Sequence, residues 1–109
     1  MKKLLALSAV AATTAALAIP ALAGTKTVKV GDDYFVRSGK APVVKVSKGT
    51  TVKWVWRGKV AHNVIGSGAS SFHSKTQVSG SFSKKFRKRG TWSVICSIHP
   101  GMAMKLKVG

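Results

Sequence analysis

The chain has 109 residues and sets 19 Lys and Arg against two carboxylates, for a formal charge of +17. One cysteine rules out an internal disulfide framework, and the two acids, adjacent at Asp32 and Asp33, leave no separated carboxylate pair for acid–base hydrolysis. A field of this size repels like molecules and attracts anionic partners.

Met1-Lys2-Lys3 is basic, Leu4 to Ile19 is apolar and small, Pro20 breaks the run, and Ala21-Leu22-Ala23 is a small-x-small cleavage signal. Residues 1–23 are therefore expected to be a secretory signal peptide. They would leave a mature domain of residues 24–109 with a charge of +15, periplasmic or extracellular. A lone thiol is a liability in an oxidising compartment, so Cys96 is expected to serve as a metal ligand.

The mature segment reads as short strands between Gly-rich turns. Thr27 to Val30 is followed by the turn Gly31-Asp32-Asp33, then Tyr34 to Val36 and a second turn at Ser38-Gly39-Lys40. Pro42 opens a run through Val43, Val44 and Val46, and Lys48-Gly49 turns again. Thr50 to Trp56 has the clearest alternation, with Val52, Trp54 and Trp56 on the core face and Thr51, Lys53 and Val55 opposite. Val60 to Ile65, containing His62, reads as another short strand, and Gly66 to Gly80 as a Ser/Gly-rich loop with room for one helical turn. Phe82 to Phe86 is a weak strand, because Lys84 shares the parity of the phenylalanines. Arg89-Gly90 turns into a strand whose inward residues are Trp92, Val94 and Cys96, with Ser93 and Ile95 opposite. Met104, Leu106 and Val108 share a face of the last strand. The expectation is an all-β Greek-key β-sandwich or barrel of about seven to eight strands.

The chemistry-bearing residues cluster late in the chain. Cys96 lies three residues before His99, and Met102 and Met104 follow. Parity places the Cys96 thiol inward at a strand end, where His62 can meet it from a neighbouring segment and His99 from the loop. A thiolate, two imidazoles and a weak thioether are the ligand set of a blue-copper electron-transfer site. Met104 shares parity with Leu106 and Val108 and so reads as the first core residue of its strand, which favours Met102 as the axial ligand with Met104 as the alternative. His73, in a polar loop, reads as a surface histidine.

The segments Val60-Ala61-His62-Asn63-Val64 and Cys96-Ser97-Ile98-His99-Pro100-Gly101-Met102 resemble those of the small blue-copper cupredoxins of the plastocyanin and amicyanin type. So do Lys48 to Trp54 and Lys88 to Val94, and the resemblance spans residues 26–109. The Cys-x₂-His-x₂-Met spacing matches the short amicyanin-like loop and selects Met102; the plastocyanin-like spacing would select Met104. The resemblance implies one type 1 copper ion cycling between Cu(II) and Cu(I). It also implies an Asn63 side chain tied to the residue after the cysteine, Ser97, and an electron exit at the edge of His99, rimmed by Pro100, Gly101 and Ala103. The expected role is a soluble one-electron carrier and not an enzyme. The alternatives are copper transport, storage or tolerance, suggested by the Met102/Met104 pair, and a basic polyanion-binding domain, suggested by the charge. The expected partner of a monomeric carrier is a redox protein whose acidic surface meets Lys84, Lys85, Arg87, Lys88 and Arg89. An anionic envelope surface is the other candidate, and no specific nucleic acid is expected.

Overall fold

The computed structural model describes residues 24–39 and 41–109; the expected signal peptide lies outside the described residues. Nine strands follow one another: β1 (Thr25–Gly31), β2 (Tyr34–Phe35), β3 (Val43–Val46), β4 (Thr51–Trp56), β5 (Ile65–Gly68), β6 (Phe72–His73), β7 (Ser81–Lys85), β8 (Gly90–Ile95) and β9 (Ala103–Val108). They form two sheets, ordered β2-β1-β4-β7 and β3-β9-β8-β5-β6. The chain crosses repeatedly between the sheets, as in a Greek-key sandwich. The pairs β1·β4 and β3·β9 are parallel and the remaining ladders antiparallel.

One-sided burial explains why these segments are strands. Val52, Trp54 and Trp56 of β4 are buried, as are Trp92 and Val94 of β8 and Met104, Leu106 and Val108 of β9, while the alternate residues face outward or sit half-buried. Trp54 lies at the centre of the core, with the rings of Phe72, Phe82 and Phe86 at 5.7, 5.8 and 6.4 Å. The parity conflict at Lys84 is resolved by its long stem. The residue is half-buried, and its ammonium lies over the rings of Phe72 and Phe86 at 5.8 and 5.6 Å.

Two expected elements differ. Val60 to Ile65 is not a strand: apart from a bridge between His62 and Gln77, pairing begins only at Ile65. The amides in between have other partners. Asn63 N–H donates to Cys96 Sγ at 3.5 Å, and Val64 N–H donates to Ser74 Oγ at 2.9 Å. The Gly66–Gly80 stretch holds β5 and β6 and, among the described residues, no helical turn. Its glycines admit close packing, since a Cβ on Gly66 would collide with the Phe72 ring. These two strands bring the total to nine.

Strand direction separates the two ends of the sandwich. The C-terminal ends of β1, β4 and β8 and the start of β9 lie at one end. The start of β1, the β3–β4 turn, the β7–β8 turn and the end of β9 lie at the other.

Candidate metal centre

Cys96 follows β8 at the first of these ends and is buried, with 3 % of its surface exposed. The loop that leaves it is closed by its own backbone. His99 N–H donates to Cys96 O at 3.4 Å, Met102 N–H to His99 O at 3.1 Å, and Cys96 N–H to Met102 O at 3.0 Å. Gly101, at φ 85°, lets the chain turn back into β9. This folding holds His99 three residues from the thiol with its Nδ1 at 3.4 Å from Cys96 Sγ. His62, fully buried, comes from the segment after β4, with Nδ1 at 4.0 Å from the sulfur and 3.1 Å from His99 Nδ1.

The segment carrying His62 is pinned on several sides. Its N–H and C=O pair with Gln77, and its carbonyl also accepts from Trp56 Nε1–H at 3.1 Å. Asn63 donates through Nδ2 to Ser97 Oγ at 2.8 Å and to Thr76 Oγ1 at 3.1 Å, and its Oδ1 accepts from Ser97 N–H at 2.8 Å. The cysteine strand and the histidine segment are thereby stapled side by side, with the Asn63 amide aimed at Sγ.

The other ring nitrogen of His62 has a partner absent from the sequence reading. His62 Nε2 lies 2.9 Å from Oδ1 of Asp32, in the two-residue turn between β1 and β2. Asp32 is itself cradled: Lys59 N–H donates to both carboxylate oxygens at 3.0 and 3.1 Å, and Val60 N–H to Oδ1 at 3.3 Å. Gly58 permits the approach, since a Cβ there would collide with the carboxylate. The His62 hydrogen bond, followed by the Lys59 amide, holds the Asp32 carboxyl below its ordinary range. An ionised carboxylate only accepts, so Nε2–H is the donor in this bond and the ring turns Nδ1 toward Cys96 and His99.

Cys96, His62 and His99 thus offer three ligand atoms within 4.8 Å of one another, the one such group among the described residues. A thiolate with two imidazoles suits a soft or borderline transition-metal ion, not magnesium or calcium, so the residues fit a single metal site. Met102 is buried inside the same loop, whereas Met104 lies in β9 opposite Val94. His73 ends β6 and is exposed. The two candidate docking elements are far apart. Pro100 is exposed beside His99, but the run from Lys84 to Arg89 lies at the other end of the sandwich. The length of β8 separates the two, about 20 Å at ~3.3 Å per residue.

Solved structures share this fold. A reduced Cu(I) form of an amicyanin variant superposes with a TM-score of 0.66 at 23% identity, covering 78% of this chain and 82% of that one. A purple cupredoxin from Nitrosopumilus maritimus gives 0.65 at 18% identity, over 77% of this chain and 99% of that one. A copper-containing nitrite reductase from Thermus scotoductus SA-01 gives 0.68 at 23% identity; 78% of this chain is covered, but only 22% of the reductase. The family model for copper binding proteins of the plastocyanin/azurin family matches residues 26–109. With that match spanning all nine strands but for the first residue of β1, the chain belongs to the plastocyanin/azurin family of copper-binding proteins.

Proposed function

We propose that the protein is a type 1 blue-copper carrier of single electrons that works outside the cytoplasm. The observation that carries this reading is the convergence of Cys96 Sγ with the Nδ1 atoms of His62 and His99. In the proposal these three residues would hold the ion strongly and Met102, buried in the same loop, would be its weak fourth ligand. Copper, when bound, supplies one-electron chemistry between its +2 and +1 states. The chain's part is to hold the donors still. The closed Cys96–Met102 loop, the Asn63 staple and the Asp32 bond to His62 fix each ligand from behind, so little has to move when the charge changes.

Electron exit is assigned to His99, which is half-buried while His62 and Cys96 are enclosed. Pro100 and the exposed Ile98 and Val60 give this end an apolar surface suited to a brief encounter. Lys59, next to Val60, supplies a cation for an acidic redox partner. Carriage is favoured over catalysis because Asp32 is already committed to His62. Storage is the weaker reading, because Met104 is placed in the β9 ladder instead of beside Met102 in the loop.

The test is a titration of the full chain with Cu(II), followed by a redox titration. One copper per chain that is reduced and reoxidised reversibly without loss supports the carrier. Several coppers per chain, or release on each change of oxidation state, would favour storage or transport.

A further inference from the structure

The end of the sandwich away from the metal centre gathers four parts of the chain. Gly24 O, at the entry to β1, accepts from Thr51 N–H at 2.9 Å; Gly49 N–H donates to Phe86 O at 2.6 Å; Lys48 N–H donates to Gly109 O at 3.1 Å. Cations crowd these segments: Lys48 on the β3–β4 turn, Lys84 and Lys85 at the end of β7, and Arg87, Lys88 and Arg89 on the β7–β8 turn. One hollow of about 220 Å³ lies among Lys84, Lys85, Arg87 and Lys88, and another of about 400 Å³ between Lys45 and Lys107. No side-chain carboxylate offsets them, because the chain's two acidic residues are both in the β1–β2 turn at the opposite end. The molecule is electrostatically lopsided along its strands.

Two observations say what covers this end. The aromatics there, Phe86 and Trp92, are buried, so no exposed ring is offered for stacking unpaired bases. And the chain preceding Gly24, with its basic start at Lys2-Lys3 and its apolar run from Leu4 to Ile19, joins the domain at this end. Before the expected cleavage after Ala23, whatever membrane that run enters has the cationic end of the domain brought to its surface; after cleavage the charge alone holds it there.

We infer that this end docks on an anionic lipid bilayer and directs the metal centre away from it. Clustered Lys and Arg are attracted to an anionic leaflet over roughly one Debye length, about 8 Å at physiological salt. The contact is therefore reversible and salt-sensitive, and it leaves His99 and its apolar surroundings open to a partner. It does not depend on which metal the other end holds.

The test compares three forms of the full chain on sedimenting vesicles of phosphatidylglycerol mixed with phosphatidylcholine, and of phosphatidylcholine alone. They are wild type, a Lys84→Gln/Lys85→Gln/Arg87→Gln/Lys88→Gln variant, and a control with Lys29→Gln/Lys53→Gln/Lys75→Gln/Lys105→Gln. All three keep residues 1–23, so differences report the folded domain. The expected result is salt-reversible binding to the anionic vesicles that the first variant weakens by at least about tenfold and the control by less than about threefold. If the first variant fails to fold, Arg87→Gln/Lys88→Gln, outside every strand, should show a smaller loss in the same direction. Equal weakening by both sets, the same preference for anionic over neutral vesicles in wild type and the first variant, or tighter binding to dextran sulfate or single-stranded DNA than to vesicles of equal charge overturns the proposal.

Discussion

At His62 both ring nitrogens are committed, Nε2 to Asp32 at 2.9 Å and Nδ1 to the space shared with Cys96 and His99. A carboxylate behind a ligating imidazole fixes its tautomer and raises its basicity, and losing such a partner typically costs about 10–100-fold in metal affinity. Asp32→Asn should therefore weaken Cu(II) binding by roughly that factor in a chelator competition and raise the reduction potential. Unchanged affinity and potential would show the bond to be idle. The methionines make a second test. Met102→Leu should shift the potential and the visible spectrum, because in the proposed site Met102 is the weak ligand that tunes it. Met104→Leu, within the β8–β9 ladder, should leave both in place and cost less than about 1.5 kcal/mol in denaturant unfolding. Cys96, His62 and His99 were legible because thiol and imidazole at a strand end have few structural uses. Asp32 was not, because a turn residue thirty positions from His62 carries no local sign of what it will touch.

Among the elements, β4 and the segment after it act together. Trp56 Nε1–H donates to His62 O, while Trp54 Nε1, equally enclosed, has no hydrogen-bond partner. Both indoles lose similar area on replacement by Phe, but only Trp56→Phe breaks a bond. It should be the costlier change by about 1 kcal/mol, and it alone should speed amide exchange at His62 and Gln77. Equal effects would mean that the bond contributes nothing. The Asn63 staple makes a parallel case. Asn63→Ala removes three hydrogen bonds between the histidine segment and its neighbours, Ser97 and Thr76. It should cost about 2–3 kcal/mol in thermal or chemical unfolding. The strands that parity revealed, β4, β8 and β9, have one face on the core and one in solvent. β5 and β6 escaped notice because Gly66 and Gly68 carry no side chain to alternate, and β6 is two residues long. The segment from Val60 to Val64 has strand-like composition, but its Val60, Asn63 and Val64 amides bond to a carboxylate, a thiol and a hydroxyl, and His62 alone makes a backbone bridge.

For the whole molecule, the sandwich sets one end against the other. The metal-ligand candidates and both acids share the end where β1, β4 and β8 finish, and the dense basic run occupies the other. Composition shows the charge but not this division, which depends on the direction of each strand. The run from Lys84 to Arg89 precedes Cys96 by only a few residues, yet β8 carries the chain the length of the sheet between them. Salt should accordingly act on retention at an anionic surface through the far end and on partner encounter through the few cations near His99. The most direct test of the central claim is the visible and electron-spin spectrum of the copper-loaded full chain. An intense thiolate-to-Cu(II) charge-transfer band with a small parallel hyperfine splitting, bleached on reduction, restored on reoxidation and absent in Cys96→Ser, is the expected result. A colourless Cu(II) protein, or a spectrum unchanged by Cys96→Ser, would contradict it.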